Sequence, residues 1–388
     1  MKKQVLIILF MLFFNSGAWA ATPETPASEL PMDMLDGTSI ANINKFISNI
    51  NNELNTGLPL LNTDIIKEIA AQGLSLDWKL VWYKALNYLF KELAVNMNLM
   101  GKLLFLAVLC ALLQNLHSSF EHSTMSMLAY CVCFIFLAVI ALNAFHQGMT
   151  LAKDTVGNMV GFMEALLPLL LSLLAGVGAV TSVALFTPLM LLVVSVMSLV
   201  VKDVILPLLF LSSVLECVNY LAGKYRMSNL SGVIKQSALV LLGLSMVIFI
   251  GIITIQGAAG SVADGLTLRT AKYATATFIP VVGKMFADTV ELVMGASLLL
   301  KNAVGVFGVM VIMTLCALPL IKLLSLIIMI KIAGALIQPM GDENMAKCLD
   351  GIGNNFLLVF GALLTVALMF FLVITMVIGT GTMTMMLR

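Results

Sequence analysis

Charge is scarce in this sequence. Only 11% of its 388 residues are Asp, Glu, Lys or Arg, against about 25% in soluble domains. Neither sign dominates: 21 Lys and Arg face 20 Asp and Glu, a net charge of +1. No basic field is therefore available to hold nucleic acid, and no nucleic-acid partner is expected. Histidine is rarer still, with three residues. His117 and His122 flank Glu121 in the order HxxxEH, which puts the two rings on different helix faces; neither HExxH nor HxxEH is present. Each Gly-Lys pair (Gly101-Lys102, Gly223-Lys224, Gly283-Lys284) lacks the upstream Gly and the following Ser or Thr of a phosphate-cradling loop. No GxSxG elbow occurs. No cofactor, metal site or catalytic residue is expected, and the chain reads as a non-enzyme.

Apolar residues are abundant, at 61%. A soluble reading would leave too little polar surface to cover such a core, so the chain reads as an integral membrane protein. Residues 1–20 are ordered as a secretory signal: Lys2 and Lys3, an apolar run from Val5 to Phe14, then Ala18-Trp19-Ala20. Residues 21–98 are expected to form an exported region with amphipathic helices. Within it Ile40, Ile43, Phe46, Ile47 and Ile50 recur at helical spacing, and Asp64 to Ala71 makes another short helix. From Asp77 to Asn96, Trp78, Trp82, Tyr83 and Tyr88 interleave with Lys79, Lys84 and Lys91, a headgroup-zone pattern. The six cysteines lie mostly in apolar stretches and read as small buried hydrophobes.

Residues 99–388 are expected to form the polytopic domain. Apolar runs near 102–116, 127–145, 163–181, 184–201, 204–221, 236–256, 303–321, 323–338 and 355–379 give seven to nine spans. Re-entrant half-helices would account for the short pairs. The fold class is thus all-α, a polytopic helical bundle with a small exported helical region. With an exported N-terminus, five crossings put the basic loop of Lys224, Arg226 and Lys235 in the cytoplasm.

One segment departs from the lipid-like pattern. Residues 257–301 carry Asp264, Arg269, Lys272, Lys284, Asp288 and Glu291. On a helix after Pro280, Lys284, Asp288, Glu291 and Gly295 share a face, and Lys284 can pair with Asp288 at i,i+4. These six are candidates for a pore or partner surface. Glu164, one turn before Pro168, and Glu216, near Asn219, are added as ionisable groups within apolar runs.

Several stretches also carry a family resemblance: Asp264-Gly-Leu-Thr-Leu-Arg-Thr-Ala-Lys272, Phe278-Ile-Pro-Val-Val-Gly-Lys284, Ser297-Leu-Leu-Leu-Lys-Asn-Ala-Val-Gly305, Pro207-Leu-Leu-Phe-Leu-Ser212, and Leu113 through His122. They resemble the stage III sporulation protein AE family. That resemblance implies a membrane subunit in the mother-cell membrane around the forespore. Its implied companions are other stage III sporulation membrane proteins, a partner ATPase and a forespore channel protein, and a homo-oligomer is expected. The implied role is a pore-forming or export-gate component needed for late forespore development. A non-conducting scaffold is one alternative. A secondary transporter of a small solute is another, and would call for an inverted repeat that the sequence does not show.

Overall fold

The computed structural model describes residues 37–54, 60–72, 78–119, 124–221, 228–278, 282–340 and 343–386. The signal-like residues 1–20 lie outside them. Everything described is helical or connecting, with no strand among the described residues. Two short helices, α1 (Gly37–Leu54) and α2 (Thr63–Gln72), precede the long ones. These are α3 (Trp78–Ser119), α4 (Thr124–Gly176), α5 (Val180–Leu199), α6 (Leu206–Leu221), α7 (Ser228–Phe278), α8 (Val282–Ile337) and α9 (Glu343–Met386).

Among the described residues six helical stretches are long and apolar enough to cross a membrane, where the sequence suggested seven to nine. The difference lies in the junctions. The run at 127–145 and most of the run at 163–181 fall on the single helix α4, through Lys153 and Asp154, and the second run ends past the turn that starts α5. The runs at 303–321 and 323–338 fall on α8 in the same way, through Lys322. Lys202-Asp203 does not separate two spans either. It sits in a π-helical turn, Val200–Ile205, that joins α5 to α6 without a loop; the i→i+5 pattern accommodates one extra residue without breaking the backbone ladder. Pro168, Pro188 and Pro319 likewise lie inside continuous helices. The 56 residues of α8 extend about 84 Å at 1.5 Å per residue, against about 30 Å of hydrocarbon. The long helices therefore run well beyond one bilayer core or tilt within it.

The α8–α9 hairpin is the centre of the bundle, with α3 and α4 packed along α8, α6 and α7 along α9, and α4 also reaching α9. Half of the most apolar window of α8 and of α9 is buried, but only 17% of that of α3. Small residues set the close approaches. Gly305 and Gly308 of α8 lie against Ile378, Ile374 and Leu166, and Gly148 of α4 lies against Phe356 and Leu323. A side chain at any of these glycines would meet a packed neighbour, which is how small residues bring membrane helices together. Phe145 stacks on Phe210 and meets Phe356 edge-on, tying α4, α6 and α9 together.

The N-terminal helices dock on this bundle. Ile43, Ile47 and Ile50 of α1 are buried, as their spacing predicted, and Phe46 packs on Phe162 of α4 over Gly161. Asn44 braces the chain before α2: its amide donates to the Leu61 carbonyl at 3.0 Å, and its oxygen accepts from Leu61 N–H at 2.6 Å. The aromatic and lysine stretch that read as a separate amphipathic helix is continuous with the first span, in α3. Trp82 and Tyr83 are exposed there.

Candidate functional site

Two polar constellations interrupt the apolar interior. The first surrounds the elbow Val177–Ala179, where α4 ends and α5 begins. Gly178 has φ 90°, a left-handed conformation that glycine adopts without strain. Starting a new helix here leaves backbone N–H groups unpaired. Ala179, at the cap position, makes no side-chain hydrogen bond to them. The acceptor comes from another helix. Asp264 of α7 is fully buried, and its Oδ1 accepts from Thr181 N–H at 2.9 Å and Ser182 N–H at 3.1 Å, with Oδ2 3.2 Å from Ser182 N. A carboxylate at a helix N-terminus is favoured both by those N–H groups and by the helix dipole. A few turns along, Gln256 of α7 donates to the Leu185 carbonyl at 3.1 Å, and Gly260 fits against Ser182 and Phe186.

Lys301 of α8 is fully buried in the bundle. Its ammonium donates to the Ile378 carbonyl of α9 at 2.8 Å. The Nζ fills the space that a side chain at Gly381 would need, with Leu174 of α4 beside it. One turn away on α8, Ser297 occupies the corresponding space at Gly176.

The second constellation lies where α6, α8 and α9 meet. Asn355 of α9 is fully buried. Its amide nitrogen reaches Ser213 Oγ of α6 at 2.8 Å and Glu216 Oε2 at 3.2 Å. Glu216, half-buried, lies directly over Gly351: an ideal Cβ there would sit 2.5 Å from its carboxyl carbon. Next to Gly351 on α9, the exposed Asp350 accepts from Lys331 Nζ of α8 at 2.7 Å, and Asn354 bridges the two at 2.8 and 3.0 Å. Lys331 also packs over Gly353. Ser212 and Ser231 exchange hydroxyl-to-carbonyl bonds at 3.2 and 3.0 Å, joining α6 to α7. The thiols of Cys217 and Cys348 stand 3.1 Å apart, both buried. Among the described residues no three His, Cys, Asp or Glu side chains gather as metal ligands.

The candidates named from sequence do not form one site. Asp264 and Glu216 belong to opposite ends of α5–α6: Ser182 and Glu216 are 34 positions apart, about 50 Å along a helix. Glu164 is exposed on α4, facing away from buried Met163, Leu166 and Leu167. The side chains of Arg269, Lys272, Lys284, Asp288 and Glu291 lie outside the described residues, as do those of His117, Glu121 and His122; the backbone of 117–119, expected in a loop, is the end of α3. Sequence reasoning missed Asn355 and Lys301 as interior polar groups, and missed the exposed Asp350 as the partner of Lys331. The polar and small cluster Asp350-Gly-Ile-Gly-Asn-Asn355 at the head of an apolar run was the available signal.

The sequence model of the family described as Stage III sporulation protein AE matches residues 61–381. The chain belongs to the stage III sporulation protein AE family. It is 42% identical over 308 residues to Stage III sporulation protein AE of Bacillus subtilis (strain 168), covering 79% of this chain and 77% of that relative. No solved structure matches it. The matched segment runs from Leu61 to residue 381, so it takes in α2 and the long helices up to the last turn of α9, with both polar constellations, and leaves out α1.

Proposed function

We propose that the chain is the membrane-embedded, non-catalytic gate of a multi-subunit conduit between mother cell and forespore, needed for late forespore development. The observation that carries this reading is the polar seam between α6, α8 and α9. Glu216 and Ser213 of α6 meet the buried Asn355 of α9, and beside it on α9 Asn354 and the exposed Asp350 hold Lys331 of α8. Ionisable groups kept inside a membrane bundle mark pathways or two-state contacts more often than inert packing. Family membership supports a sporulation role. Apolar faces left uncovered, such as Phe105 of α3, Phe136 of α4 and Val247 of α7, suit lipid or neighbouring subunits. A homo-oligomer and companion stage III proteins, with a separate ATPase supplying energy, fit those faces. With the N-terminus exported, three crossings bring Lys224 and Arg226 to the cytoplasmic side, in keeping with the positive-inside rule; Lys235, expected in the same loop, stands on α7.

In this reading Arg269, Lys272, Lys284, Asp288 and Glu291 supply the partner-facing or pore-facing surface beyond the elbow. The test is complementation in a spore-forming host lacking its own copy. Replacing all five by Ala is expected to block late forespore development while the protein still accumulates in the membrane. Full sporulation by that variant would remove the assignment. The rival reading, a non-conducting scaffold, predicts that Glu216→Gln and Asp350→Asn leave sporulation intact so long as the complex assembles.

A further inference from the structure

We propose that Glu216, Ser213 and Asn355 form a binding site for a small monovalent cation, a sodium ion or a proton, held between α6 and α9. Two deficits meet at this point. Glu216 makes no ion pair among the described residues, and the donor reaching it from another helix is the Asn355 amide at 3.2 Å. A carboxylate half removed from water is costly without a counter-charge. The second deficit is independent of the first. Asn355 is fully buried, its nitrogen is committed to Ser213 and Glu216, and its Oδ1 has no partner. A cation between the free carboxylate oxygen and that amide oxygen answers both.

The ligand chemistry follows from the donors. Carboxylate, amide and hydroxyl oxygens suit a hard cation, and a single carboxylate balances a single positive charge. Gly351 gives the carboxyl its seat against α9, since any side chain there would displace it. The neighbouring cation on α8, Lys331, is occupied by Asp350 and Asn354. The other titratable groups acting on or beside Glu216 are Cys217 and Tyr220 on α6, Lys235 on α7, and Asp350 on α9. Lys235 acts through space only and makes no ion pair with Glu216. Cys217 turns to Cys348 instead. The site goes beyond the conduit reading and does not depend on it.

The test uses the purified full chain in lipid nanodiscs, with thermal unfolding followed in NaCl or choline chloride at equal ionic strength, at pH 8.5 and pH 5.5. If the occupant is sodium, NaCl raises the wild-type midpoint at pH 8.5 by on the order of 5 °C at a hundredfold excess over Kd. Glu216→Gln abolishes that shift and Ser213→Ala reduces it. If the occupant is a proton, sodium has no effect, and lowering the pH to 5.5 raises the wild-type midpoint relative to Glu216→Gln. Identical sodium and pH responses in wild type and Glu216→Gln overturn the proposal. Should Glu216→Gln fail to fold, dicyclohexylcarbodiimide, which adds to protonated carboxyl groups, reads the wild-type protein directly. Modification of Glu216 that sodium slows, or that persists at pH 8.5 where exposed carboxyls no longer react, supports the site; modification that sodium does not slow and that is lost at pH 8.5 with that of exposed carboxyls, or none, overturns it.

Discussion

Asp264 gives the sharpest energetic prediction. It comes from α7 to cap α5, 82 and 83 positions away in sequence, through contacts of 2.9, 3.1 and 3.2 Å. Replacing it by Ala strands two backbone N–H groups in a protein interior. Each such donor costs about 1–3 kcal/mol, and the lost charge at the helix N-terminus adds about 0.3–2 kcal/mol. The sum is about 2–5 kcal/mol, counting the lower part of both ranges because relaxation at the elbow lets one donor find another acceptor. Asp264→Asn keeps one acceptor oxygen and loses the charge, so it is expected to cost about 1–2 kcal/mol. Thermal unfolding of the chain in nanodiscs reads the stability. Amide hydrogen exchange at Thr181 and Ser182 reads the cap itself, since these protons become exchangeable when the acceptor is gone. A variant Asp264→Ala within about 0.5 kcal/mol of wild type, with unchanged exchange at both amides, would refute the capping role.

Two further predictions concern the interior contacts. Gly381→Ala places a methyl group where the Lys301 ammonium lies and is expected to cost about 1–3 kcal/mol of stability. Combined with Lys301→Ala, the loss should be non-additive by at least about 0.5 kcal/mol; strict additivity in thermal unfolding would show that the two residues do not touch. Mild oxidation with copper phenanthroline should join Cys217 to Cys348, whose sulfurs stand 3.1 Å apart. After cleavage at a protease site placed in 222–227, the two fragments should then stay linked on a non-reducing gel, and separate in Cys217→Ser. Fragments that separate in the oxidised wild type would contradict the packing of α6 on α9.

Some of this structure was legible in the sequence, and the reason differs from element to element. The isoleucines of α1 carried their register openly, because a short amphipathic helix has one apolar face. The span count did not, because breaks in hydropathy at Lys153-Asp154, Lys202-Asp203 and Lys322 are not breaks in the backbone. A helix passes a pair of charges when they reach a polar surface or another subunit, and composition alone does not distinguish that case from a loop. Asp264 stood out by its charge. Its partners did not, since a cap supplied from 82 positions away leaves no local signal. Glu216 was found as an ionisable group in an apolar run, with Asn219 as the apparent neighbour. Asn355, 139 positions away, holds it instead. Pairings of this kind come from helix packing, which the sequence specifies only through the small residues Gly351 and Gly353 that permit the approach.

The central claim, a gate within a conduit, is tested most directly by cysteine accessibility. Single cysteines placed across 257–301, in sporulating cells that carry the whole complex, are treated with a water-soluble thiol reagent. A conduit predicts labelling on one helical face, recurring every three to four residues and including positions beside Lys284, Asp288 and Glu291. Uniform protection along the segment would contradict the conduit and leave the chain as a scaffold.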